Sequence, residues 1–219
     1  QYQVTMKPDI TRVDNGNIEL ALTLPWPDVQ KAYQKEIDSA VAEAEITGFR
    51  KGKAPRDLVE PKLNKDSLYS QAIQRLIPDV YAVALKKHDL KPLLHPKITL
   101  VKGEEGSDWQ FQVVICEAPT VKLPNSYVDQ IKKLKPASQD KKLESILDFL
   151  HQKSVLKIPD LLVEEESAHR ITHLIENITR LGLTTESYLQ TKKLTPEELK
   201  SQTSQASRID LAMEFILDS

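Results

Sequence analysis

Between Gly48 and Arg56 the chain reads Gly-Phe-Arg-Lys-Gly-Lys-Ala-Pro-Arg, and its last seven residues hold four cations, Arg50, Lys51, Lys53 and Arg56, with no acid. Such a cluster can hold carboxylate or phosphate, because an arginine offers a planar fork and lysines offer mobile point charges. Gly48 and Gly52 free the backbone, and Phe49 supplies an apolar anchor at the start of the loop. Composition leaves two readings open: a binding tip that presents these groups, or an ordinary solvated turn with Phe49 folded back onto its neighbours.

Other residues with chemical potential are weaker candidates. The chain has no Gly-rich phosphate loop, no nucleophile elbow and, with a single cysteine, no paired thiols for zinc. His169 and His173 stand one helical turn apart and offer two imidazoles to a divalent metal, but Arg170 occupies the place of a metalloprotease's general-base glutamate. The preferred reading is a solvated face on which Glu165 and His169 form an i,i+4 pair. Cys116 reads as a packing residue at the end of a strand rather than as a nucleophile. The run Glu164 to Glu166 complements a helix start, and Lys132, Lys133 and Lys135 keep a linker soluble. Neither a metal nor a cofactor is expected.

Composition limits the remaining classes. The 219 residues are 40% hydrophobic, 28% charged and 5% aromatic, which supports one or two folded domains. Thirty Lys+Arg against 32 Asp+Glu give a formal charge of -2, so any binding of nucleic acid must be local. No apolar run reaches the roughly 18 residues of a membrane span, and no membrane partner is expected. Gln1 to Met6 lack the basic start and apolar run of a signal peptide, which points to the cytoplasm, although a start at Gln1 leaves a removed leader open.

The loop must be positioned by the elements around it. Tyr2, Val4 and Met6 alternate with polar residues, as do Ile18, Leu20, Leu22 and Leu24, and Asp14-Asn15-Gly16-Asn17 between them predicts a hairpin. Val29, Ala32, Tyr33, Ile37, Ala40, Val41 and Ala44 recur at helical spacing and predict a helix ending near Gly48. Leu68, Ala72, Ile73, Leu76, Ile77, Val80, Tyr81 and Ala84 predict another, kinked near Ile77 by Pro78. Between them Pro55 is suited to open a short helix containing Leu58 and Val59. Period two returns at Ile98 and Leu100 and at Trp109, Phe111, Val113 and Ile115. The order ββ, helices, ββ predicts an α+β domain with an antiparallel sheet.

After Pro119 a Pro- and Lys-rich stretch without sustained period predicts a linker, and everything beyond it reads as helical. Leu143, Ile146, Leu147 and Leu150 form one stripe; Ala168, Ile171, Ile175 and Ile178 form a second; Ala206, Ile209, Ala212, Met213 and Ile216 form a third. Thr195-Pro196-Glu197-Glu198 is a capping signature for the last helix. Its stripe runs to within three residues of Ser219, so further sequence or a partner is expected to cover it. The domain reading is 1–120, linker 121–140, and an incomplete helical domain 141–219.

Gly48 to Pro55 resembles the Gly-Phe-Arg-x-Gly-Lys-x-Pro signature of the bacterial trigger factor family, ribosome-associated chaperones, at every fixed position. Leu76-Ile77-Pro78, Leu90-Lys91-Pro92 and His95-Pro96-Lys97-Ile98 are similar to the segments that follow the signature in that family. Ile158 to Glu166 resembles the opening of a long helix in its carboxy-terminal domain. The resemblance implies that 1–120 is a ribosome-binding domain, with Gly48, Phe49, Arg50, Lys51, Gly52, Lys53, Pro55 and Arg56 meeting a protein beside the exit tunnel and ribosomal RNA. Family members usually carry an FKBP-like prolyl isomerase domain between the matched regions, and Pro124 to Gln139 has no room for it, so no enzymatic activity is expected.

The functional expectation is a chaperone that docks near the nascent-chain exit and shields unfolded segments on apolar residues of the helical part, namely Leu147, Leu150, Ile171, Ile175, Ile178, Met213 and Ile216. Closure of these stripes against one another, or against a second copy as a homodimer, is the competing reading. The alternative function is a ribosome-assembly or RNA-binding factor that uses the same basic loop without binding clients.

Overall fold

The computed structural model describes residues 9–134 and 140–219. The strand expected at Tyr2, Val4 and Met6 and the linker residues 135–139 lie outside the described residues.

The hairpin forms from β1 (Asp9–Arg12) and β2 (Ile18–Leu24). Ile18, Leu20, Leu22 and Leu24 are buried and their intervening neighbours are not, as strand alternation requires. A helix α1 (Trp26–Glu43) follows, then α2 (Arg56–Val59), a single 3-10 turn (Glu60–Lys62) and α3 (Lys65–His88). Two further strands, β3 (Lys97–Lys102) and β4 (Trp109–Ile115), complete an antiparallel sheet in the order β1-β2-β4-β3. The fold class is therefore α+β; among the described residues beyond the sheet the regular elements are helices, apart from one isolated bridge between Lys122 and Val155.

The chain divides into two compact units. Among the described residues the first contains 9–11, Glu19–Lys91 and Pro96–Val114. In it α1 packs along α3; Val29, Ala32, Tyr33 and Ile37 of α1 and Leu68, Ala72, Leu76, Val80 and Ala84 of α3 are all buried. Burial of each large aliphatic side chain stabilises by about 1.5 to 3 kcal/mol. Tyr69 stacks on Tyr33 with ring centroids 4.1 Å apart and faces Trp109 at 5.4 Å and Trp26 at 6.5 Å. Burial, above all, raises the pKa of its phenol.

Three details differ from the sequence-based expectations. Helix α1 stops at Glu43 because Ala44 is extended and folds its N–H back onto the Val41 carbonyl, which releases the next eleven residues as the loop. Helix α3 is continuous through Pro78, which lies on its exposed side. Strand β3 forms, but all six of its residues are exposed, because an edge strand with a bulge between Leu100 and Lys102 has no buried face to impose the period that β4 shows.

The second unit contains Arg12–Ile18, Pro92–His95 and Ile115–Ser219. Its helices are α4 (Tyr127–Lys133), α5 (Asp140–Lys153), α6 (Asp160–Arg180), α7 (Thr185–Lys192) and α8 (Pro196–Leu217). The seven-residue α4 sits in the stretch expected as linker; so short a helix needs no apolar stripe, and none of its residues is buried. Helix α8 begins as its sequence requires: Thr195 Oγ1 accepts the Glu198 N–H at 3.2 Å and Glu198 Oε2 accepts the Thr195 N–H at 2.8 Å. It packs on α6, where Arg170 binds Glu166 at 2.6 Å and Asp210 at 2.7 Å, and Arg208 binds Asp160 at 2.5 Å.

The hairpin turn has a second task in this unit. Helix α6 has no side-chain cap of its own, and its first amide donors go instead to the turn: Asp160 N–H to the Asn15 carbonyl at 3.1 Å and Leu161 N–H to Asn17 Oδ1 at 3.0 Å. Asn17→Ala removes a cap supplied from 144 residues away and is expected to lower stability by about 1 kcal/mol, the usual worth of an N-cap. Urea denaturation measures this; an unchanged midpoint would show that water replaces the side chain without loss.

Candidate functional site

The basic loop is a built turn. Phe49 N–H donates to the Ile46 carbonyl at 2.9 Å, Lys53 N–H to Arg50 at 2.9 Å, and Gly52 N–H to Ala44 at 3.0 Å, so the loop is tied to the end of α1. Gly52 has a φ of +69°, and a Cβ there would lie 2.2 Å from the Ala42 carbonyl oxygen. Only glycine lets the two backbones approach this closely. At the far end Ala54 and Val59 are buried, and Pro55 immediately precedes α2.

This frame divides the four cations. Arg56 turns inward: it binds Glu60 at 3.0 Å, Asp38 on α1 at 2.9 Å, and Gln34. The hydrogen bond to Glu60, with the nearby carboxylates, raises its pKa above the ordinary guanidinium value. Arg56 therefore clamps α2 to α1 and positions the loop. Arg50, Lys51 and Lys53 are exposed, and Phe49 is 45% exposed. Lys51 has only a loose contact with Glu45, 3.9 Å away with both side chains in solvent, and among the described residues neither Arg50 nor Lys53 has an acidic partner. The tip is thus a half-exposed aromatic beside three solvated cations, an arrangement able to hold anionic groups next to an apolar contact. The i,i+4 spacing of Arg56 and Glu60 was a legible sign of the clamp; the partners on α1 had no sequence signal.

The apolar candidates of the helical unit separate by burial. Leu150, Ile178 and Ile216 are buried and hold the helices together. Leu147, Ile171 and Met213 are half-buried, and Ile175 is exposed. Ile209, expected within the α8 stripe, is instead 44% exposed and lines a groove with Leu156, Ile158, Arg208 and Ala212. Leu181 and Leu183, just beyond α6, are exposed as well.

Cys116 is fully buried, and burial raises its thiol pKa, the opposite of what a nucleophile needs. His169 faces His173 rather than Glu165, and Glu176 supplies the neighbouring carboxylate. No helix among the described residues is long and apolar enough to cross a membrane.

Residues 6–150 match the family described as bacterial trigger factor protein, and residues 117–219 match its carboxy-terminal family, so the two matches overlap. Trigger factors of Staphylococcus aureus strains JH9 and Newman are each 31% identical over 147 residues, which cover 67% of this chain and 33% of theirs. The matched stretch thus spans about a third of those relatives' length. A solved structure described as "Promiscuous Substrate Recognition in Folding and Assembly Activities of the Trigger Factor Chaperone" aligns with a TM-score of 0.42 at 23% identity, covering 66% of this chain and 33% of that one.

Proposed function

The chain belongs to the bacterial trigger factor family, and from that premise we propose that it is a cytoplasmic, ribosome-associated chaperone that docks through the loop at Phe49, Arg50 and Lys51 and shields unfolded segments of new proteins. The observation that carries this reading is the exposed, glycine-braced tip holding the family's complete signature. Its partners are a protein beside the exit tunnel and the adjacent ribosomal RNA. Residues 1–120 form the docking part, 121–140 the connection and 141–219 the part that meets clients. In the last of these Ile175, Ile209, Leu181 and Leu183 already present apolar surface, whereas Leu150, Ile178 and Ile216 reach a client only if the helices part. The exposed group is suited to weak contacts without sequence preference. Neither a nucleotide nor a cofactor is required.

Co-sedimentation with purified ribosomes tests the docking. The chain is expected to pellet with them at low salt and to be released progressively as salt rises, since the contacts include exposed cations and anionic RNA. Pelleting that does not depend on salt would oppose the assignment. If the chain pellets with ribosomes but leaves aggregation of an unfolded client unaffected, the ribosome-assembly reading takes its place.

The chain is expected not to accelerate prolyl isomerisation above the uncatalysed rate, which takes tens to hundreds of seconds. The two family matches overlap over 117–150, leaving no stretch between them for the concave apolar pocket that an isomerase needs. A protease-coupled assay on a prolyl peptide checks this, and acceleration that co-purifies with the chain would overturn it.

A further inference from the structure

We propose that His169 and His173 on α6 form a two-imidazole site for a late first-row divalent metal ion of the copper(II) or nickel(II) type. Their Nε2 atoms lie 3.0 Å apart, a hydrogen bond between the two rings, and an ion bound to both nitrogens would take the place of the proton between them. Two nitrogens each about 2.0 to 2.1 Å from one metal and 3.0 Å from each other subtend about 94° at it, the angle between neighbouring ligands in square or octahedral coordination. Two imidazoles alone favour copper(II) over zinc by the general order of affinity of the late first-row ions.

The surroundings prepare the imidazoles for this role. Glu176 Oε2 lies 3.3 Å from His173 Nδ1, which places that ring's proton on Nδ1 and leaves the Nε2 lone pair for the metal. His169 is then the donor in the contact between the rings; when an ion binds, its proton moves to Nδ1, so both rings bind through Nε2 as neutral ligands. Arg170, next in the chain to His169, is held by Glu166 and Asp210. No group of three or more candidate ligands occurs among the described residues, and affinity rests on the two imidazoles together.

Equilibrium dialysis of the full chain against copper(II) and nickel(II), with the paramagnetic resonance spectrum of the copper form, tests the site. One copper per chain with a two-nitrogen signature is expected, with zinc bound more weakly. His169→Ala and His173→Ala should each weaken binding at least tenfold and leave a one-nitrogen spectrum, while His151→Ala leaves both unchanged. Glu176→Gln, which touches only the orienting contact, should keep the two-nitrogen spectrum with affinity reduced several-fold. Because both imidazoles lie on an exposed helix face, circular dichroism should show all variants folded. Equal copper affinity in the double alanine variant, or a wild-type spectrum with a single nitrogen, would overturn the proposal.

Discussion

Phe49→Ala, Arg50→Ala and Lys51→Ala combined are expected to abolish co-sedimentation with ribosomes while leaving the urea midpoint unchanged. All three side chains are exposed, and the loop is held by Gly52, by the Arg56 clamp and by backbone hydrogen bonds, none of which involves the substituted side chains. Exposed charge contacts are worth roughly 0.2 to 1 kcal/mol each, and seating a half-exposed phenylalanine adds a share of the about 1.5 to 3 kcal/mol of full burial. Together these amount to about 3 kcal/mol, near a hundredfold in affinity. Single substitutions should each have a modest effect. If the triple variant pellets with ribosomes at low salt as well as the parent does, the loop is not the dock.

Gly52→Ala is expected to weaken ribosome binding at least tenfold without removing any contacting side chain. Its φ of +69° is left-handed, which costs a non-glycine residue about 1 to 2 kcal/mol, and the new methyl would sit 2.2 Å from the Ala42 carbonyl oxygen. Both colliding groups are bound to backbone, so no side-chain rotation relieves the contact. The loop must lift away, giving up the hydrogen bond from Gly52 to Ala44, worth about 0.5 to 1.5 kcal/mol, and the tip loses its orientation. Gly48→Ala is the internal control: its φ is +92°, but a Cβ there meets nothing within 4 Å, so it pays only the conformational term. Hydrogen exchange of the loop amides, read beside co-sedimentation, should show faster exchange at residues 44–53 in the Gly52 variant. Equal binding by the two glycine variants would mean that the close approach to α1 does not set the tip's geometry.

Local pattern determined much of this protein. The alternation of Ile18 to Leu24 and of Trp109 to Ile115, the stripe of α3 and the capping box at Thr195 are all properties of a few consecutive residues, and each appears as its period dictates. The basic loop was legible for the same reason, since its signature is contiguous. What tertiary structure decided are relations between distant residues. Strand order left β3 exposed on both faces although Ile98 and Leu100 have a strand period like that of β4. Packing buried Leu150, Ile178 and Ile216 and left Ile209 in solvent, although all four lie on apolar stripes. Of four neighbouring cations, Arg56 was drawn inward because Asp38 and Gln34, some twenty residues earlier on α1, face it, and Arg50 and Lys53 were left outside because among the described residues no acid faces them. A side chain's periodicity is fixed by the backbone it sits on; its partner is fixed by whichever part of the chain the fold brings opposite, and one-dimensional spacing carries no record of that.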